Sequence, residues 1–544
     1  MLALLFIFLA GCTRLGTTGA GPTLHPWTKP DTARIGLYEE PDTLNPVIGT
    51  MAFASDIFQL IFDGLIRYDE KGRPVPDLAR ELPTLANGGI SRDGRTITYH
   101  LMPNVRWSDG VPLTSADVAY TWRQIMNPAN NTPSRDGYDR IERIETPDAQ
   151  TVRIVMRQTY PPALFLFRDL IQGAIVPEHV LRGNADLNRV AFNQHPIGSG
   201  PYILRAWDHG SGMRFDANPA YFRGAPKIPH VAVKFFPDQN TLASALRTHD
   251  IDLYYLVSLS QFARIATFPD ITIASTSSLD WEHLNFNTRQ PPLDERAVRV
   301  ALCTAMDEDA IFQKIYHGLG HEVPTHFNPQ FGYGDPAVRR YPYDPRRAAA
   351  LLDAAGWKIG SDGIRTKNGK RLEFALSTVA GVKQREAIEV MLLSDWHAIG
   401  ADVLVKNYPA PLFFAPAAAG GMLYGGKTDV ALFTYDDSWP DPDDSAYASP
   451  DEMPPNGRNA SFYRNPEVAR LEKAGLATYD PAARREIYSR ISRILIDDVP
   501  EYVLDFLPAI DAFNDDLHGP KPAPVGSDLW NIASWTIGSA KTRK

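Results

Sequence analysis

Asp93-Gly-Arg-Thr-Ile-Thr-Tyr-His-Leu101, followed three residues later by Val105-Arg-Trp-Ser-Asp-Gly-Val-Pro-Leu-Thr-Ser-Ala-Asp-Val118, contains a strand and a helix start in quick succession. Thr96–Met102 alternates apolar and polar residues as a half-buried strand does. Thr114 or Ser115 then supplies an N-cap for a helix expected over Ser115–Met126, which ends before Asn127-Pro128.

The same alternation of element types extends outward in both directions. Residues 33–38 (ARIGLY) and 231–236 (VAVKFF) read as strands, and 54–65, 294–306, 345–355, 383–399 and 481–497 read as amphipathic helices. Pro345 and Pro481 each follow an aspartate, the arrangement of an N-cap with proline in the first turn. Sheets flanked by helices in more than one unit are expected, an α/β class. With 544 residues the chain suggests about three or four folding units. A composition of 44% hydrophobic, 22% charged and 10% aromatic residues excludes disorder, collagen and a multispan membrane protein. The net charge of −9 is spread without long blocks, which argues against nucleic acid as the partner. Cys12 and Cys303 are the two cysteines, too few for a disulfide scaffold or a structural zinc site. Cys303 lies in an apolar helical pattern and is expected to be a core thiol.

Residues 1–11 (MLALLFIFLAG) are uncharged and too short to span a bilayer. They read as the apolar region of a signal peptide, with Leu9-Ala10-Gly11-Cys12 as a lipobox and Cys12 as the lipidated residue. No Lys or Arg precedes the run, which points to a start codon further upstream. Residues 12–32 read as a flexible tether, and the folded body is expected from Ala33. Residues 407–426 carry no charge, but seven prolines and glycines exclude a membrane helix. That segment is expected to be an apolar loop over a pocket or an irregular piece of core.

Signatures of catalysis are absent. His317-Gly-Leu-Gly-His321-Glu322 has two glycines where a zinc-binding helix would be needed, and Gly198-Ser199-Gly200 lacks the spacing of a nucleophile elbow. The acidic run Asp436–Asp444 lacks the glycine and distal glutamate of a calcium loop, so a solvated turn is the default. Its flanking Tyr435 and Trp439 favour a turn that faces a ligand.

Beside the opening block stand Glu40-Pro-Asp-Thr-Leu-Asn-Pro46, Phe62-Asp-Gly-Leu-Ile66, Ile197-Gly-Ser-Gly-Pro-Tyr202 and Asn218-Pro-Ala-Tyr-Phe-Arg-Gly-Ala-Pro226. Leu284-Asn-Phe-Asn-Thr288, Val298–Leu302 with Ala305-Met-Asp307, Tyr343-Asp-Pro345 leading to Ala355-Gly-Trp357, and Arg485-Glu-Ile-Tyr488 follow in order. Together they resemble the extracellular solute-binding proteins of family 5, the peptide- and nickel-type receptors of ATP-binding-cassette (ABC) importers; Ser199 stands where the family usually has Thr. The resemblance implies a two-lobed fold of the periplasmic-binding-protein type in its large, three-subdomain class, with a hinge and an interlobe cleft. It places lobe I at 33–286 with an extra subdomain at about 76–196, lobe II at 287–504 and a return to lobe I at 505–544. It implies a monomer without enzymatic activity, cofactor or metal, anchored by lipid alone on the periplasmic or extracellular face of a bacterial membrane, and partnered by an ABC permease and its ATPase subunits.

The ligand implied is an oligopeptide. In peptide-binding relatives an aspartate in the turn after a lobe II strand pairs with the peptide ammonium, and some have an arginine six residues earlier. Here Ser438 occupies the aspartate position and Leu432 the arginine position. Asp436, with Asp437 beside it, lies two residues before Ser438 and in extended chain would point to the same side. Alternatively the ligand has no free amine, as in an oligosaccharide, a modified peptide or a metal chelate, and stacks on Tyr435 and Trp439. Glu39 and Glu40 lie where relatives approach the ligand's amino end. Trp107 and Trp281 are expected in the core. A secreted hydrolase and a structural lipoprotein are the readings from other classes.

Overall fold

The computed structural model describes residues 24–320, 325–327, 332–335, 337–435, 441–455, 457–525 and 527–538. Cys12, Asp436, Asp437, Ser438 and Trp439 lie outside the described residues.

The chain opens with strand β1 (Thr32–Leu37) and helix α1 (Ala52–Ile61). A separate three-stranded sheet follows, made of β2 (Thr96–His100), β3 (Ile141–Asp148) and β4 (Thr151–Met156), with helix α2 (Ser115–Met126) packed against it. Then come β5 (Tyr202–Asp208), β6 (Gly212–Ala217), β7 (His230–Phe235), α3 (Gln239–Arg247), β8 (Leu253–Tyr254) and the long β9 (Ile271–Phe286). The second half contributes α4 (Arg296–Ala305), α5 (Pro345–Ala354), β10 (Glu373–Ser377), α6 (Lys383–Ala398) and β11 (Asp402–Val405). It ends with β12 (Val430–Tyr435), α7 (Pro481–Asp498) and the long β13 (Glu501–Asn514).

Among the described residues, ten strands make one mixed sheet in the order β11-β10-β12-β9-β13-β8-β1-β7-β6-β5. β9 and β13 run antiparallel through its centre, but their ladder is interrupted: Ser277 pairs with Pro508, and pairing resumes with Trp281 opposite Phe506. The hydrophobic cores change over at the same place. One core gathers residues from Ala33 to Leu279 and resumes at Phe513, with a satellite that includes Ile510 and Ala512. Another gathers Leu284 to Leu504, with an aromatic cluster that includes Trp281 and Phe506. The fold is therefore two-lobed, with the lobes joined by two adjacent strands.

Local chemistry accounts for the helix ends. Asp117 accepts the backbone N–H of Thr114 at 2.8 Å, which sets the start of α2. Asp344 accepts the N–H of Arg347 at 2.9 Å, and Asp480 accepts those of Ala482 and Ala483 at 2.8 and 2.9 Å, so each proline helix starts on its capping aspartate. α1 stops short of the expected Leu65 because Gly64 lies against the backbone of Arg168 and Asp169, where a Cβ would overlap. The uncharged segment 407–426 is irregular core: Phe413 and Leu423 are fully buried beside Phe433 and Tyr435, while Leu412 and Phe414 remain exposed.

Candidate binding cleft

In open α/β sheets ligands bind outside the carboxyl ends of the strands. β1 and β8 are parallel, as are β10 and β12. β8 runs beside Ala512 towards Pro508, and β12 ends with Tyr435 opposite Trp281. The carboxyl ends from both lobes therefore converge on the interruption between β9 and β13. A cavity of about 330 Å³ lies there, lined by Ser278–Asp280 and Ala509 from the crossing, Tyr255 from the end of β8, Asp56 from α1, Arg168, and Asp528.

Its floor is acidic and buried. Asp56, Asp511 and Asp528 are at most 2% exposed. Burial raises the Asp56 carboxyl well above the ordinary range, against hydrogen bonds from Ser527 and Tyr255. Burial pushes Asp528 up to about 7, against the N–H of Ala523 and a bond shared with Asp511. Sequence reasoning missed this group. The available signal was one acid, Asp56, inside the apolar helical run of α1.

The expected site residues divide. Glu39 is exposed just after β1. Glu40 follows it but is held by three donors: Trp207 Nε1 at 2.6 Å, His209 Nδ1 at 2.8 Å and the Gly210 N–H at 2.8 Å. Burial works against its charge, yet these donors hold its carboxyl below the usual value. Tyr435 departs from the expectation of a stacking platform. It is 5% exposed, its ring stacks on His283 at 4.9 Å, and its hydroxyl donates to the Arg458 carbonyl at 2.8 Å. The alternation of β12 points it into the aromatic core.

The described end of the acidic run is likewise not a solvated turn. Asp441 pairs with Arg484 at 2.6 Å, both side chains 4% exposed. Asp444 lies 3.3 Å from His326, whose other ring nitrogen meets Glu501 at the head of β13. Burial works against the charge of His326, yet Glu501 and Asp444 raise its pKa to about 10. Two motif groups also resolve into structure. The Ser199 hydroxyl donates to Asp63 at 2.6 Å, and a Cβ at Gly198 would overlap the Ile61 carbonyl, so this turn fastens α1. Trp107 and Trp281 are both 2% exposed, as expected of core. Among the described residues, no group of three or more His, Cys, Asp or Glu side chains is placed to hold a metal ion.

Two lobes joined by paired strands, with a cleft at their crossing, define the class of two-lobed solute-binding receptors. The chain belongs to the bacterial extracellular solute-binding proteins, family 5, whose middle-region model matches residues 73–452. Protein XP55 of Streptomyces lividans is 33% identical over 492 residues, covering 88% of this chain and 83% of that protein. The oligopeptide-binding protein AppA of Bacillus subtilis is 27% identical over 92% of this chain and 91% of its own. The AppA structure in complex with a nonapeptide superimposes with a TM-score of 0.70, covering 94% of this chain and all of that one. NikZ of Campylobacter jejuni, solved with Ni(L-His), gives 0.74 at 27% identity with the same coverage, 94% and 100%.

Proposed function

We propose that this protein is the lipid-anchored receptor of an ABC importer, capturing oligopeptides between its lobes and delivering them to a membrane permease driven by ATPase subunits. The observation that carries the reading is the convergence of strand ends from both lobes on the crossing of β9 and β13. A ligand touching both sides favours the closed arrangement by its differential affinity, and closure buries it. Residues 33–286 and 505–544 form lobe I, with the extra subdomain at about 76–196, and 287–504 form lobe II; the separate cores support this division. Cys12 carries the lipid, and the protein acts as a monomer that binds without turnover.

AppA, named for oligopeptide binding and solved with a nonapeptide, supports the ligand class. In this reading Asp436 meets the peptide ammonium, with Asp437, Ser438 and Trp439 on the same turn and Glu39 across the cleft. The serine in the family's aspartate position favours a second reading, a ligand without a free amine such as a modified peptide, an oligosaccharide or a metal chelate. NikZ, solved with Ni(L-His), supports the last of these.

Calorimetry with free and N-acetylated tri- to pentapeptides separates the two. The first reading requires that acetylation abolish binding and that Asp436→Asn weaken it. Unchanged affinity in either case overturns the ammonium contact. Mass spectrometry of the solute that co-purifies identifies the ligand directly.

A further inference from the structure

A second cavity, of about 540 Å³, opens on lobe I away from the crossing of the strands. The two cavities share a wall: α1 gives Asp56 to the cleft and Gln59 to this one, and the distant segment packed on Gly64 gives Arg168 to the cleft and Asp169 to this one. The rim is exposed at Ala225, Lys227 and Lys521. The floor is buried and incompletely satisfied. Gln59 and Asp169 are 6% and 4% exposed, and the Gln59 amide donates to Asp169 Oδ2 at 2.8 Å, which fixes its orientation. That leaves Gln59 Oε1 and Asp169 Oδ1 as two acceptors without a hydrogen-bond donor.

The other carboxylates of the floor are occupied. Asp63 accepts from Ser199 at 2.6 Å and Tyr221 at 3.1 Å; Asp77 accepts from the Gly64 N–H at 3.0 Å and Arg223 at 3.1 Å. Arg67 reaches Asp77 only at 4.0 Å. In the buried floor Asp63, Asp77 and Asp169 face Arg67 and Arg223, while Lys227 and Lys521 place their charges only at the exposed rim. Two orphaned acceptors on a floor with three carboxyl groups call for a donor with more than one N–H, which a primary ammonium supplies. Phe62 and Trp530 supply apolar wall for a carbon skeleton.

We propose that this cavity binds the primary ammonium group of a small solute, an alkylamine or an amino acid, through Asp169 Oδ1 and Gln59 Oε1. The site is separate from the peptide cleft. Burial, then the nearby Asp77, raises Asp169 to about 8, with Arg67 opposing and Asp63 adding to the rise. A cation arriving below that pH displaces a proton, so affinity climbs with pH by up to about tenfold per unit until about 8.

The test is thermal unfolding and calorimetry of the full chain with methylammonium, glycine, tetramethylammonium and sodium chloride at equal ionic strength. Methylammonium is expected to bind and to raise the melting temperature, more at pH 8 than at pH 7; tetramethylammonium, which has no N–H, and sodium are not. A response to glycine alone also supports the site and assigns an amino acid as its source. Asp169→Asn and the rim variant Ala225→Phe should both abolish the response, and the rim variant serves if the buried one fails to fold. No response to methylammonium or glycine overturns the proposal. So does an equal response to tetramethylammonium or sodium, or binding that survives Ala225→Phe. Peptide affinity of Ala225→Phe is read in parallel and stays at the wild-type value, so failure here and failure of the cleft are distinguished.

Discussion

Trp207 of β5 donates its indole N–H to Glu40 at 2.6 Å and so ties the turn after β1 to the edge strand of the large sheet. Glu40→Ala removes the acceptor for Trp207, His209 and Gly210 together, and should cost about 1–2 kcal/mol, discounted for the partial exposure of the group. Its lowered pKa fixes the pH dependence: the stabilisation is present above the ordinary value of 4.5 and is lost as pH falls through the depressed one. Urea unfolding should therefore show the gap between wild type and variant closing on acidification.

His326 stands between Glu501 and Asp444, all three buried. His326→Leu strands two carboxylates and should destabilise by about 3–5 kcal/mol in urea. The wild-type histidine has a raised pKa, so its stabilisation is complete below 6.5 and disappears as pH rises through about 10. The wild-type urea midpoint should fall over that window, and the variant should lack the histidine's share of the fall.

Gly198 touches the Ile61 carbonyl, which also accepts the Gly200 N–H at 2.8 Å. Gly198→Ala should push this turn off the end of α1 at a cost of about 1–3 kcal/mol, read as a lowered melting temperature.

Cys303 is fully buried in α4, and burial raises its thiol pKa far above the ordinary value. Alkylation with peptide mapping should find Cys303 unmodified in the native protein and labelled in denaturant.

Helices with their own caps were legible in the sequence: α2 begins at Ser115, and α5 and α7 begin at the expected prolines. The end of α1 was not, since Gly64 acts through a segment a hundred residues away. β13 was hidden for another reason. Its Pro508 argues against a central strand, and it is tolerated because it lies at the interruption opposite Ser277. The motifs placed candidate site residues on the turn after β1 and at and beyond the end of β12. They did not reveal which motif residues are structural: Asp63, Ser199 and Tyr221 come from three motifs and form one hydrogen-bonded node. Nor did they reveal the acidic floor of the cleft, whose Asp56 and Asp528 meet only through the tertiary fold.

The position of β13 between β8 and β9 dictates the order in which the molecule can be completed. This central strand is synthesised after the other nine of its sheet, and the core of lobe I also waits for Phe513 to Trp535. A chain broken off before Glu501 would leave β8 and β9 with open edges, each ready to pair with a stranger. Closure is therefore built into the sheet, because only a chain that has been made as far as Asn514 can close the seam down the middle.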